Sequence, residues 1–187
     1  GSFEQGPAAG GDVEQEQQIV VYLSDRPIDL TGKALIASVR LEAGLGAEAA
    51  GGAMVFANSG DPETPDFASS SWANFNQGSW MTLIFIADEA GSEFDPTNVV
   101  AVGVQVRTGG SGTYTPALVH IDTIQVVDAG LIGDPGSPPW NFNINDLGWA
   151  IGDIGTPTSP VMTWSGTMGN PDPGSLMINI PFDDIEQ

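Results

Sequence analysis

Leu35-Ile36-Ala37-Ser38-Val39-Arg40-Leu41 decides the class of this chain. Leu35, Ala37, Val39 and Leu41 recur at every second position, with Ile36, Ser38 and Arg40 between them. A period of two belongs to a strand with one buried face, because successive Cβ atoms point to opposite sides. Further along, Val100, Val102, Val104 and Val106 repeat the pattern; Ala101, Gly103, Gln105 and Arg107 form the other face. Shorter apolar runs stand at 19–23, 53–57, 81–86, 119–127 and 176–182. Turn chemistry separates them: Asp25-Arg26-Pro27, Thr31-Gly32, Ser59-Gly60-Asp61-Pro62, Phe94-Asp95-Pro96 and Thr108-Gly109-Gly110. Many short strands between Gly and Pro turns predict an all-β, antiparallel β-sandwich, with a jelly roll as the leading form. No amphipathic helix of real length is visible. Residues 41–52, rich in Ala and Gly, have room for one short turn of helix.

Composition narrows the function. The chain has 187 residues and no cysteine, which excludes disulfides, thiol catalysis and cysteine metal sites. Four Lys plus Arg stand against 24 Asp plus Glu, a formal charge of -20. Nucleic acid and anionic membrane surfaces are therefore poor partners, since both require clustered cations. Hydrophobic residues make up 41% and charged residues 15%, so there is enough apolar matter for a core. No apolar run approaches the ~20 residues of a membrane span, and no signal-peptide pattern stands out.

Residues 1–12 read as a Gly/Ala-rich loop or edge. Residues 128–139, which include Gly130-Leu131-Ile132-Gly133-Asp134-Pro135-Gly136-Ser137-Pro138-Pro139, read as a linker. That leaves residues 140–187, too few for a comfortable sandwich without disulfides. The economical expectation is one domain over 1–187, with 13–127 as its main body and 140–187 completing the same sandwich.

Catalytic chemistry finds little support. The chain's one histidine, His120, lies in an alternating strand beside Ile121, and no Gly-x-Ser-x-Gly elbow exists. Gly109-Gly110-Ser111-Gly112 lacks the lysine and helix of a phosphate loop. The acids cluster in turns, at Asp61/Glu63/Asp66, Asp88/Glu89/Glu93 and Asp183/Asp184/Glu186, as solvated surface residues do. Sugar binding needs other parts. Flat aromatic rings stack on the C–H face of a pyranose, and planar polar groups bridge its hydroxyls. Trp72 lies in the polar run Ser69-Ser70-Ser71-Trp72-Ala73-Asn74 and suits an exposed platform. Trp140 follows Pro139 and Trp149 follows Gly148, so both suit loops; Trp80, opening an apolar strand, reads as core, and Trp164 fits either place. If the alternating valines and leucines face inward, then Arg40, Gln105 and Arg107 face outward. Each arginine is equally readable as a surface ion-pair partner.

Residues 17–127 resemble a bacterial jelly-roll carbohydrate-binding module of the kind attached to mannanases and xylanases. The resemblance runs through Ile28-Asp29-Leu30-Thr31-Gly32-Lys33-Ala34-Leu35, Val55-Phe56-Ala57-Asn58-Ser59-Gly60 and Trp72-Ala73-Asn74-Phe75. It continues through Ser79-Trp80-Met81-Thr82-Leu83, Phe94-Asp95-Pro96-Thr97, Val102-Gly103-Val104-Gln105-Val106 and His120-Ile121-Asp122-Thr123-Ile124. The tail, with Trp140-Asn141-Phe142, Gly148-Trp149, Gly174-Ser175-Leu176 and Ile180-Pro181-Phe182, resembles the start of the same module. The order is thus circularly permuted, or one module's end is joined to the start of a second.

The resemblance implies non-catalytic binding of a β-linked polysaccharide on a concave sheet that holds the Gln105 strand. Trp72, Asn74, Arg40, Gln105, Arg107 and Trp149 are the expected carbohydrate-binding residues. It also implies one structural calcium near Asp122, with Asn141, Asn143 or Asp146 as partners, and a secreted or cell-surface monomer tethered to a larger protein. The alternatives are a structural or adhesion sandwich without sugar binding, a small glycosidase, and an engineered permuted scaffold.

Overall fold

The computed structural model describes residues 15–46, 49–109, 114–131, 140–141, 149–152, 160–169 and 174–180. Residues 1–12, Asn143, Asp146, most of the 128–139 segment and 181–187 lie outside that set. The described strands are β1 (Glu16–Tyr22), β2 (Lys33–Leu45), β3 (Gly51–Ser59), β4 (Asp66–Ser69), β5 (Ala73–Asn74) and β6 (Trp80–Ile86). They continue with β7 (Val99–Thr108), β8 (Tyr114–Asp128), β9 (Trp140–Asn141), β10 (Ala150–Gly152), β11 (Val161–Ser165) and β12 (Ser175–Ile180). Helical structure among the described residues is confined to two single turns, Ala87–Glu89 and Ala129–Leu131. No described helix is long and apolar enough to cross a membrane.

The strands form two antiparallel sheets packed face to face, an all-β sandwich. The first sheet has the order β10-β1-β7-β3-β4, with β5 also on β3; the second has β11-β12-β8-β2-β6, with β9 also on β8. Alternation explains the packing. Leu35, Ala37, Val39 and Leu41 of β2 are 0–2% exposed, and so are Val102, Val104 and Val106 of β7. They meet in one core with Ile19, Val55, Leu83, Val119 and Ile178. Each fully buried Leu, Ile or Val contributes about 1.5–3 kcal/mol.

The tail strands enter both sheets. Ile151 of β10 lies opposite Ile19 of β1, and Ile178 of β12 lies opposite Val119 of β8. Within 41–52, where the sequence has room for one short turn, residues 41–45 continue β2, and the Ala49 N–H then bonds back to the Gly46 carbonyl at 3.4 Å.

Strand β8 is irregular at Asp122. Thr123 and Ile121 pair with the adjacent residues Ser38 and Val39, so Asp122 is an extra residue, a β-bulge. The bulge changes the phase of β8. Ile121 and Ile124, three apart, both reach the core, which strict alternation forbids.

His120 ties the tail hairpin to the body of the second sheet. Its Nδ1 lies 3.0 Å from Ser175 Oγ, and both residues are buried. Burial holds the His120 pKa below its ordinary 6.5; Glu42 opposes that shift and Arg40 adds to it. The folded state therefore takes up this proton at lower pH than the unfolded chain does. Its contribution to stability is fully present above pH ~6.5 and is lost as pH falls through the unfolded value toward the folded one. Urea denaturation at pH ~7.5 and pH ~5.5 measures it. His120→Gln should reduce the difference between the two pH values; an unchanged difference would assign all of it to carboxylates.

Candidate functional site

The expected site residues separate onto opposite outer faces of the sandwich. Asn74, Gln105 and Arg107 belong to the first sheet, with Trp72 immediately before β5. Arg40 belongs to the second sheet. The structure does not bring Arg40 to the others, because β2 and β7 lie in different layers.

On the first sheet, register builds two rows. Asn74, Gly52, Arg107 and Glu16 lie side by side across β5, β3, β7 and β1. The next row contains Met54, Gln105 and Gln18. The guanidinium carbon of Arg107 stands 4.2 Å from the centroid of the Trp72 ring. Gly52 lets the chain at Ala73 come close to β3: a Cβ there would lie 2.9 Å from the Ala73 carbonyl oxygen, while Trp72 Cε3, at 3.7 Å, would be in ordinary contact. Gln18 Nε2 donates to Gln105 Oε1 at 2.9 Å, and Gln105 Nε2 donates to Glu16 Oε2 at 2.6 Å. A ring, a guanidinium, two amides and a carboxylate thus converge at one corner of the sheet. Asn74 is exposed beside them and Trp72 is half-buried.

Two expectations are corrected at this face. Trp149 is 3% exposed and packs in the main core. It precedes Ala150–Gly152 and shares the phase of Ile151, which faces Ile19, so it points inward and offers no stacking surface. The face is also not open along its length. Val20, Phe56 and Ala101 lie on the side away from the main core yet are 0–2% exposed, forming a second small apolar cluster. Phe56 stacks on Phe67 of β4, ring centroids 5.3 Å apart, and Phe67 is 47% exposed. A shallow pocket beside Phe67, lined by residues 91–94, includes none of the expected site residues.

Gln105 faces away from the core as expected, but is 6% exposed. Its amide is held by Glu16 and Gln18, so it positions those two groups more than it meets solvent. Sequence reasoning misses Glu16 and Gln18 because β1 starts three residues before the apolar run at 19. The signal available is the polar spacing itself: Glu16 and Gln18 continue the outer phase of Val20.

On the second sheet, Trp80, Arg40, His120 and Met177 make one row across β6, β2, β8 and β12. Trp80 is therefore not a core residue. Leu83 and Phe85 point inward, so residues 80, 82 and 84 point outward. Arg40 is paired with Glu42, Nε to Oε2 at 2.7 Å and Nη2 to Oε2 at 2.6 Å.

Of the calcium set, Asp122 is 1% exposed, and its Oδ2 accepts a hydrogen bond from Thr123 Oγ1 at 3.0 Å. The backbone of Asn141 pairs with Thr123, next to the bulge. Asp146 is outside the described residues. Among the described residues, no three His, Cys, Asp or Glu side chains cluster as metal ligands do.

Compared with known proteins, the chain matches no family model, no curated protein and no solved structure.

Proposed function

We propose that this chain is a non-catalytic carbohydrate-binding module that holds a β-linked polysaccharide at the Trp72 corner of the first sheet. The observation that carries the reading is the Arg107 guanidinium lying over Trp72, in one row with Asn74 and Glu16. The stacked ring and guanidinium supply a flat surface for a pyranose C–H face. Asn74 and the Glu16 carboxylate supply hydrogen-bond partners for its hydroxyls. Arg107 covers one face of the ring, so a sugar either rests on the guanidinium or displaces it. Displacement costs about 0.5–2 kcal/mol of cation–π attraction. Binding at such a margin buries little area and is reversible, micromolar or weaker.

The finer reading is a jelly roll in circularly permuted order, secreted or at the cell surface, and tethered to a larger protein. Its support is the seating of β10 beside β1, the first described strand, and of β12 beside β8, which joins the tail to strands of the main body in both sheets. One structural calcium would use Asp122 and Asn141, with Asp146 as a third ligand by resemblance. A carboxylate as buried as Asp122 is the kind of group a cation compensates.

Tryptophan fluorescence titration against soluble glucomannan, arabinoxylan and mixed-linkage β-glucan tests the reading. A saturable shift with one glycan is expected, weakened about tenfold or more in Trp72→Ala. A flat response to all three would move the chain to the structural class. In parallel, EDTA should lower the melting temperature and calcium chloride restore it. No EDTA effect removes calcium from the reading without touching the sugar site.

A further inference from the structure

We propose that the β6–β2 side of the outer face of the second sheet, where Trp80 and Arg40 stand, is a second glycan-contact face. One molecule then holds two polysaccharide chains from its opposite sides. The proposal rests on the carbohydrate-binding reading above and extends it.

Three observations carry it. First, Trp80 and Arg40 are directly opposite one another on β6 and β2, on the side away from the core. Both are partly accessible, and directly opposed strand residues have Cβ atoms about 5 Å apart. An aromatic ring and a guanidinium thus share one patch, as Trp72 and Arg107 do on the first sheet.

Second, the patch is electrically balanced. Glu42 binds the Arg40 guanidinium through two nitrogens, so the pair offers donors and acceptors with no net charge. The ligand that fits is uncharged and rich in hydroxyls. A polyanionic glycan would be repelled by a chain carrying a formal charge of -20.

Third, the neighbouring row is hydroxylic. Thr82, Ser38 and Thr123 lie side by side across β6, β2 and β8. They stand about 7 Å along the strands from the Trp80 row, two residues of rise. Beyond them the apolar residues Ile36 and Ile84 form a small patch, far below the area a stable protein interface requires. A polyhydroxylated chain suits this mixture better than a protein surface does.

The two faces point in opposite directions, with two sheets about 10 Å apart between them. A single stiff chain lying on one face does not reach the other. Occupying both therefore links two chains, and linked chains raise apparent affinity by avidity.

The test uses the full chain in native gels containing glucomannan, arabinoxylan or mixed-linkage β-glucan, together with light scattering of the same glycans in solution. The expected result is gel retention plus a rise in scattering as chains are bridged. Trp72→Ala and Trp80→Ala should each abolish the scattering rise and weaken gel retention without abolishing it, because the avidity is lost while one site remains. The double variant should lose both signals. Arg40→Gln removes the contact without disturbing a large side chain, and should match Trp80→Ala at an unchanged melting temperature. If Trp72→Ala abolishes retention while Trp80→Ala and Arg40→Gln change nothing, the second face is refuted and the first stands. If the reverse holds, the module has one face, and bridging is refuted together with the Trp72 site. Failure of the unmodified protein to be retained by any of the three glycans overturns both proposals.

Discussion

Gly103→Ala is expected to destabilise the protein by about 3 kcal/mol or more, a large part of the stability of an ordinary domain. A Cβ at this position would stand 2.4 Å from the Ile19 carbonyl oxygen on β1 and 2.5 Å from Phe56 Cζ on β3. Neither neighbour can retreat. The oxygen belongs to a strand paired with β7 along seven residues, and the ring is fully buried against Phe67 and the Val20–Ala101 cluster. The first sheet brings three strands together here, and Phe56 fills the space that a side chain at 103 would take. Urea denaturation followed by circular dichroism measures the loss. The double variant Gly103→Ala/Phe56→Ala adds a check. Removing the ring relieves one clash but leaves the carbonyl contact, so the pair should cost less than the sum of its members. A Gly103→Ala protein as stable as the parent would mean that β1 and β7 are not packed at this distance.

The second large effect concerns the tail. Ile178→Ala should cost about 2–5 kcal/mol. Ile178 is 0% exposed and lies between Val119 of β8 and Met162 of β11, inside the same core as Leu35 and Val104. The expected signature is a single unfolding transition shifted as a whole, identical by tryptophan fluorescence and circular dichroism. Residues 140–187 would then unfold together with the residues of β1 to β8. If instead Ile178→Ala produced an early, separate transition with the main one unmoved, the tail would be an independent unit resting against the sandwich.

The elements legible in the sequence are those whose signal is local. β2 and β7 show a strict period of two over seven or more residues. The turns at Asp25-Arg26-Pro27 and Ser59-Gly60-Asp61-Pro62 fall between strands as expected. The strands that escape a sequence reading are short or marginal. β4 and β5 hold four and two residues, and β10 three. Each exists because a longer strand offers it an edge, which no property of its own residues announces. β11 escapes for a related reason: Val161 and Trp164 are 60% and 42% exposed, so its pattern lacks a clean buried phase.

The candidate site is half legible. Alternation assigns the outward phase correctly to Arg40, Gln105 and Arg107. Trp80 reads wrongly as core because its apolar neighbours Met81 and Leu83 belong to the other phase of the same strand. Trp149 reads wrongly as a platform because a preceding glycine signals a loop but does not say which way the next residue turns.

Local pattern is enough to show that this is an all-β chain, where its long strands lie and, along 35–41 and 102–107, which residues share a face. Those properties follow from the alternating direction of Cβ atoms and from turn chemistry, both set within a few residues. Tertiary structure alone decided that Arg40 and Arg107 sit on opposite sides of the sandwich. It also decided that Phe56 is buried on the outer side of its sheet, that Trp149 joins the core, and that Asp122 is the residue bulged out of register. Each of these depends on which strand lies next to which, and on what covers a face from outside. Such contacts join residues far apart in the chain, and no local period records them.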